Sequence, residues 1–189
     1  MSLMKLVPLS KEEVTSLYYS RMQNDFIENE LKPLWVIHNA IDEGKYEPLG
    51  LYDGAALLGY VFLVKKDRDY LVDYLAIFPD ARNKGNGSEM LRLLGNYLSD
   101  VAMVILEVED PTFAENEEQR SIQKRRIEFY KRNGWVDTGL RVKYFSVPFM
   151  VLKQKNCRDM DCNGLWEIYQ AFYRSILPEE MFEDNIEKE

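Results

Sequence analysis

Leu71 to Met90 reads LVDYLAIFPDARNKGNGSEM, a stretch in which a buried strand runs through a basic, glycine-containing turn into a helix. Leu71 to Ile77 has the β-branched and aromatic content of a core strand, and Pro79 and Asp80 break it. Apolar residues then recur at Met90, Leu91, Leu94 and Leu98 with helical spacing. Between them, Arg82-Asn83-Lys84-Gly85-Asn86-Gly87-Ser88 supplies two glycines that can take positive φ and let the backbone approach a ligand, so that successive N–H groups converge on one anion. Unpaired amides at the helix start add partial positive charge, and Arg82 and Lys84 add full charges. The turn reads as a phosphate site.

Residue order excludes two phosphate motifs. Gly85-x-Gly87 is followed by Met90 where the dinucleotide fingerprint needs its third glycine, and no GxxxxGK[ST] run exists in the chain. What remains is Arg82-x-x-Gly85-x-Gly87 after a strand ending in Leu75-Ala76-Ile77. A second segment lies downstream, Arg126-Ile127-Glu128-Phe129-Tyr130-Lys131-Arg132-Asn133-Gly134-Trp135, a helix carrying a tyrosine and closed by glycine.

Together the two segments resemble the pyrophosphate signature and the FYxxxGF segment of the GNAT superfamily of acyl-CoA-dependent N-acyltransferases, over roughly Leu6 to Leu152. The resemblance implies an α/β fold with a mixed, mostly antiparallel central sheet flanked by helices, here followed by a C-terminal helical extension. The expected organisation is a domain over residues 4–153 that carries the resemblance and, beyond it, an extension over 154–189, packed on the domain or on a partner subunit. It further implies acetyl-CoA as acyl donor, gripped by Leu75, Ala76 and Ile77 and by Arg82, Asn83, Lys84, Gly85, Asn86, Gly87 and Ser88. Asn83 and Asn86 stand where relatives often carry glycine and an apolar residue. Gln123 and Arg126 stand where many carry asparagine and alanine, on the face near pantetheine.

The resemblance also implies chemistry: direct attack of a primary amine on the thioester, with no cysteine nucleophile. Tyr130 falls at the family's tyrosine position and is the expected acid for the departing thiolate. A backbone N–H near Ile77 is the expected oxyanion donor, which can contribute about 3 kcal/mol. An amine of reference pKa about 10 needs a proton acceptor. Asp73 is one candidate, since alternation puts it on one face with Leu71 and Leu75 inside an apolar strand; a structural aspartate satisfied by backbone donors or a cation is the equal alternative. Glu107 and Glu109 are the others. A non-catalytic acyl-CoA sensor or interaction module on the same fold stays open, because a phosphate turn records affinity and not turnover.

Composition narrows the partners. With 24 basic and 32 acidic residues among 189, the net charge of −8 disfavours nucleic acid and favours a cationic or neutral acceptor, a small molecule or a peptide amine. No long apolar run or secretory segment is present, so no membrane partner and a cytoplasmic location are expected. Cys157 and Cys162 are too few, with one histidine, for a zinc site, and free thiols are expected. The five bases Lys124, Arg125, Arg126, Lys131 and Arg132 read as a solvated helix face, and His38 as half-buried packing between Leu34 and Ile41 on one stripe. Met1-Ser2-Leu3 ahead of Met4 reads as a cloning remnant.

Local signals place the other elements. Leu6 to Pro8 is an expected strand, and Ser10-x-x-Glu13 a capping box opening a helix stapled by Leu9 and Val14. A helix is expected from Pro33 to Glu43, and strands from Tyr46 to Tyr52 and Ala55 to Val64, joined at Asp53-Gly54. Further strands are expected over Val101 to Val108, Leu140 to Phe145 and Phe149 to Leu152. Leu165, Ile168, Phe172 and Ile176 then mark an amphipathic helix stopped near Pro178. Its stripe needs a cover, the chain's own domain in preference to a dimer contact or a wall over the acceptor pocket.

Overall fold

Short apolar runs punctuated by turn residues become strands in the computed structural model, which describes residues 4–189. The reading of Met1-Ser2-Leu3 as a cloning remnant lies outside the described residues. The chain forms two compact units. One runs up to Lys65 and resumes over Val72–Val101; the other comprises Lys66–Leu71 and Ala102–Glu189.

The first unit carries β1 (Lys5–Pro8), α1 (Lys11–Leu17), α2 (Gln23–Asp25), α3 (Leu34–Asp42), β2 (Tyr46–Asp53), nearly all of β3 (Ala56–Lys66), most of β4 (Asp69–Ile77), and α4 (Asn86–Tyr97). Strands follow the order β1-β2-β3-β4, with Val7 opposite Gly50 and Leu49 opposite Val61 in antiparallel register. The capping box forms: Ser10 Oγ accepts from the Glu13 amide and Glu13 Oε2 from the Ser10 amide at 2.7 Å. Asp53 pairs with Ala56, so the hairpin turns on Gly54-Ala55, one residue later than the sequence signal. Beyond Leu17 the helix widens into a π turn over Tyr18–Met22, for which the sequence holds no signal. Val14, Met22, Ile37, Leu51, Phe62, Met90 and Leu94 are withdrawn from water and make the core.

The second unit carries β5 (Met103–Glu109), α5 (Glu117–Arg132), β6 (Trp135–Tyr144), β7 (Val147–Gln154), α6 (Cys162–Ile176), α7 (Glu179–Asn185) and β8 (Ile186–Lys188). Its strands are ordered β5-β7-β6-β8, each pair antiparallel. Strand β6 starts earlier than Leu140 because it pairs with β7 from Trp135 onward. The ladder shifts register between Asp137 and Arg141, where Asp137-Thr138-Gly139 hides the alternation. Helix α6 buries Leu165, Tyr169, Phe172 and Tyr173; Ile168 and Ile176 of the expected stripe stay half-buried. After Pro178 the chain adds α7 and then β8, which sets Ile186 opposite Tyr144 and Lys188 opposite Val142. The terminal segment therefore docks on its own unit through both a helix and a strand. Among the described residues no helix is long and apolar enough to cross a membrane.

Candidate active site

The turn between β4 and α4 is shaped by its backbone. Gly85 caps α4 in the left-handed region at φ 82° and, having no side chain, leaves the cap without a side-chain hydrogen bond. The first helical bond runs from the Glu89 amide to the Gly85 carbonyl at 3.0 Å. The amides of Asn86, Gly87 and Ser88 precede it and have no helical acceptor, the standard condition of a helix start. A second left-handed residue is Asn83 at φ 61°, a conformation asparagine tolerates. Gly87, in contrast to the sequence expectation, is right-handed inside α4. Left- and right-handed residues in succession, as at Gly85 and Asn86, turn neighbouring N–H groups toward one point.

Side chains brace this loop. Arg82 Nε donates to the Ile77 carbonyl at 2.9 Å, Lys84 Nζ to the Asp80 carbonyl at 2.8 Å, and buried Asn86 Nδ2 to the Ala81 carbonyl at 2.8 Å. Arg82 also lies 3.8 Å from Asp25, whose other oxygen accepts from Tyr60 at 2.8 Å. Arg82, Asn83, Lys84, Gly85 and Ser88 are exposed, and Leu75, Ala76 and Ile77 are half-buried where the rest of β4 is mostly buried.

Asp73 is tied down. Its Oδ1 accepts from Lys32 Nζ at 2.7 Å and its Oδ2 from the Tyr46 hydroxyl. The side chains of Lys32 and Asp73 are 1% and 2% exposed. The Lys32 ammonium also lies 4.9 Å from the Tyr74 ring centre, and the Lys32 amide donates to the Tyr74 hydroxyl at 2.8 Å. Lys32 and Tyr46 carried no sequence signal for this role. Lys32 sits in an aperiodic loop before Pro33.

In the second unit, Glu107 on β5 is half-buried, and each of its oxygens accepts from a tyrosine of α6: Oε1 from Tyr169 and Oε2 from Tyr173 at 2.7 Å. Glu109 pairs with Arg126 at 2.9 Å. Tyr130 is buried on the α5 face that also carries Gln123 and Ile127, with Trp135 edge-on at 6.2 Å. Burial pushes the Tyr130 phenol above its ordinary pKa, with the Arg126 charge opposing, so it keeps its proton at neutral pH. Gln123 is 5% exposed, and its Oε1 is buried without a hydrogen-bond partner among the described residues, an acceptor that costs free energy until something donates to it.

Lys124, Arg125, Arg126, Lys131 and Arg132 are all exposed. Glu117 and Glu118 sit in the first turn of α5. His38 is half-buried, its Nε2 3.0 Å from Thr15 Oγ1. Both cysteines are free, and burial pushes the Cys157 thiol up, with the Val104 amide opposing. Among the described residues no group of three metal-ligating side chains is assembled.

No family model and no curated protein matches the chain. Solved structures do. A protein described as a GNAT-family acetyltransferase from Bacteroides thetaiotaomicron aligns with a TM-score of 0.70 at 21% identity, over 91% of this chain and 97% of that one. The ribosomal-protein-S18-alanine N-acetyltransferase of Escherichia coli aligns with a TM-score of 0.61 at 14% identity, over 84% and 97%. An acetyltransferase from Bacillus subtilis in complex with CoA aligns with a TM-score of 0.55 at 10% identity, over 82% and 98%. The fold is therefore that of the GNAT acetyltransferases, a mixed α/β arrangement of mostly antiparallel strands flanked by helices.

Proposed function

We propose that the protein is an N-acetyltransferase that moves an acetyl group from acetyl-CoA to a primary amine by direct attack in a ternary complex. The observation that carries this reading is the uncapped start of α4, where the amides of Asn86, Gly87 and Ser88 stand behind left-handed Gly85 with Arg82 and Lys84 beside them. That is an anion site suited to a diphosphate. In this reading Leu75, Ala76 and Ile77 hold the pantetheine arm by main-chain groups and supply the oxyanion donor.

The amine nitrogen attacks the thioester carbon, the carbonyl oxygen takes the negative charge, and the C–S bond breaks as the carbonyl re-forms. The departing sulfur takes its proton from Tyr130, and the nitrogen gives one up to a carboxylate. Asp73 and Glu107 both serve as candidates for that base. Glu107 is the preferred base, because its two oxygens accept from phenols whereas Asp73 is bonded to an ammonium and its side chain is 2% exposed. The acceptor is a peptide or a small-molecule amine.

A non-catalytic acyl-CoA sensor is the second reading, favoured by the occupied oxygens of Asp73 and Glu107. Thiol release from acetyl-CoA with a peptide amine, a polyamine, an aminoglycoside and a small metabolite amine separates the two. The transferase releases thiol with at least one of them, and Tyr130→Phe lowers kcat at least about tenfold with the KM for acetyl-CoA little changed. Tight CoA binding without thiol release from any acceptor establishes the sensor, and unchanged kcat in Tyr130→Phe removes the acid assignment.

A further inference from the structure

We propose that Tyr169 and Tyr173 of α6 are positioning residues for Glu107, which makes the terminal helix a working part of the transfer machinery. The inference rests on the transferase reading with Glu107 as base. Tyr169 and Tyr173 are four residues apart on α6, so their side chains lie on one helix face, and each donates to a different oxygen of Glu107. Both are wholly buried. The Tyr169 ring stacks on Trp166 at 5.6 Å and meets Tyr173 edge-on at 5.0 Å, while Tyr173 lies 5.0 Å from the Tyr144 ring of β6. Neither phenol can swing away without disturbing the aromatic cluster, so the carboxylate is held in one orientation.

The donor chemistry sets this carboxylate apart. Asp73 takes an ammonium together with the Tyr46 hydroxyl and Glu109 a guanidinium, whereas the two oxygens of Glu107 each take a neutral phenol. Phenols orient an anion and favour its ionised form without cancelling its charge. Glu107 is half-buried. Burial first and the Glu107 charge second push the Tyr169 phenol well above its ordinary range, so it remains a donor across the working pH. In the same unit Val151 lies opposite Glu107 on β7, Glu109 two residues along β5 is paired with Arg126, and Tyr144 of β6 lies against the Tyr173 ring.

Removing one phenol donor withdraws support from the ionised carboxylate and raises its proton affinity, so the pH below which the base is protonated moves up. In Tyr169→Phe and in Tyr173→Phe, the acidic limb of kcat for thiol release from acetyl-CoA, read between about pH 5 and 9 with the fastest amine of the panel, shifts upward by about one pH unit. The plateau kcat stays within a few-fold and the KM for acetyl-CoA does not change. Glu107→Gln loses the limb. A carbon-13 titration of the Glu107 carboxyl, its resonance assigned by Glu107→Gln, reads the same shift with no acceptor present. A limb and a titration that stay in place in both tyrosine variants, while Glu107→Gln flattens the profile, overturn the positioning role and spare the base. An acidic limb that survives Glu107→Gln overturns both. Absence of thiol release with the wild-type protein, so that no variant has a profile, overturns the transferase reading and the inference with it.

Discussion

The ion pair between Lys32 and Asp73 is almost wholly withdrawn from water, and its geometry leaves each partner dependent on the other. Two charges brought out of water need each other's field and further hydrogen bonds, which Tyr46 gives to Asp73 and the Tyr74 ring to Lys32. Lys32→Met keeps most of the side-chain volume but strands the Asp73 charge. It is expected to lower the free energy of unfolding by about 3–5 kcal/mol in urea denaturation; a loss below about 1 kcal/mol would mean that the pair is not buried in solution. Asp73 stood out in the sequence because it interrupts an apolar strand. Its partner did not, because Lys32 lies 41 residues upstream in a loop with no periodicity. Tyr169 and Tyr173 were equally hidden, 62 and 66 residues from Glu107, on a stripe that apolar spacing assigned to Ile168 and Ile176. Tyrosines with both an apolar ring and a polar end blur such a pattern.

At the scale of elements, the strand, turn and helix around residues 71–98 were legible because period and chemistry agree there. Met90, Leu91, Leu94 and Leu98 are all buried, and Gly85 is left-handed as its place in the turn requires. Legibility failed where pairing depends on a distant partner. Strand β8 has three residues and forms only because β6 offers it an edge. The irregular start of β6 is fixed by β7 and not by local alternation. The close approach of β3 to β4 was likewise invisible. A Cβ built on Gly59 would lie 2.4 Å from the Ala76 carbonyl oxygen and 3.1 Å from Ile77 Cα. Glycine there lets the end of β4, where Leu75, Ala76 and Ile77 are half-buried, sit as it does. Gly59→Ala is expected to cost about 1–3 kcal/mol in thermal or denaturant unfolding and to raise the KM for acetyl-CoA, because the backbone that must move is the one proposed to hold the cofactor. Unaltered stability and KM would contradict that placement.

For the molecule as a whole, the fold is that of the GNAT acetyltransferases. The acidic net charge of −8 gives a long-range bias against polyanions, yet the turn itself is locally basic through Arg82 and Lys84. The central claim is that main-chain amides at the start of α4 bind a diphosphate. Titration calorimetry of the folded protein with CoA, and in parallel with pantetheine, which lacks the diphosphate, tests it most directly. The account predicts saturable heat with CoA at one site, little with pantetheine, and weaker CoA binding in Gly85→Ala, whose added methyl points into open space but whose left-handed φ of 82° becomes strained. Folded protein that gives no heat with CoA, or that binds pantetheine as tightly as CoA, would contradict it.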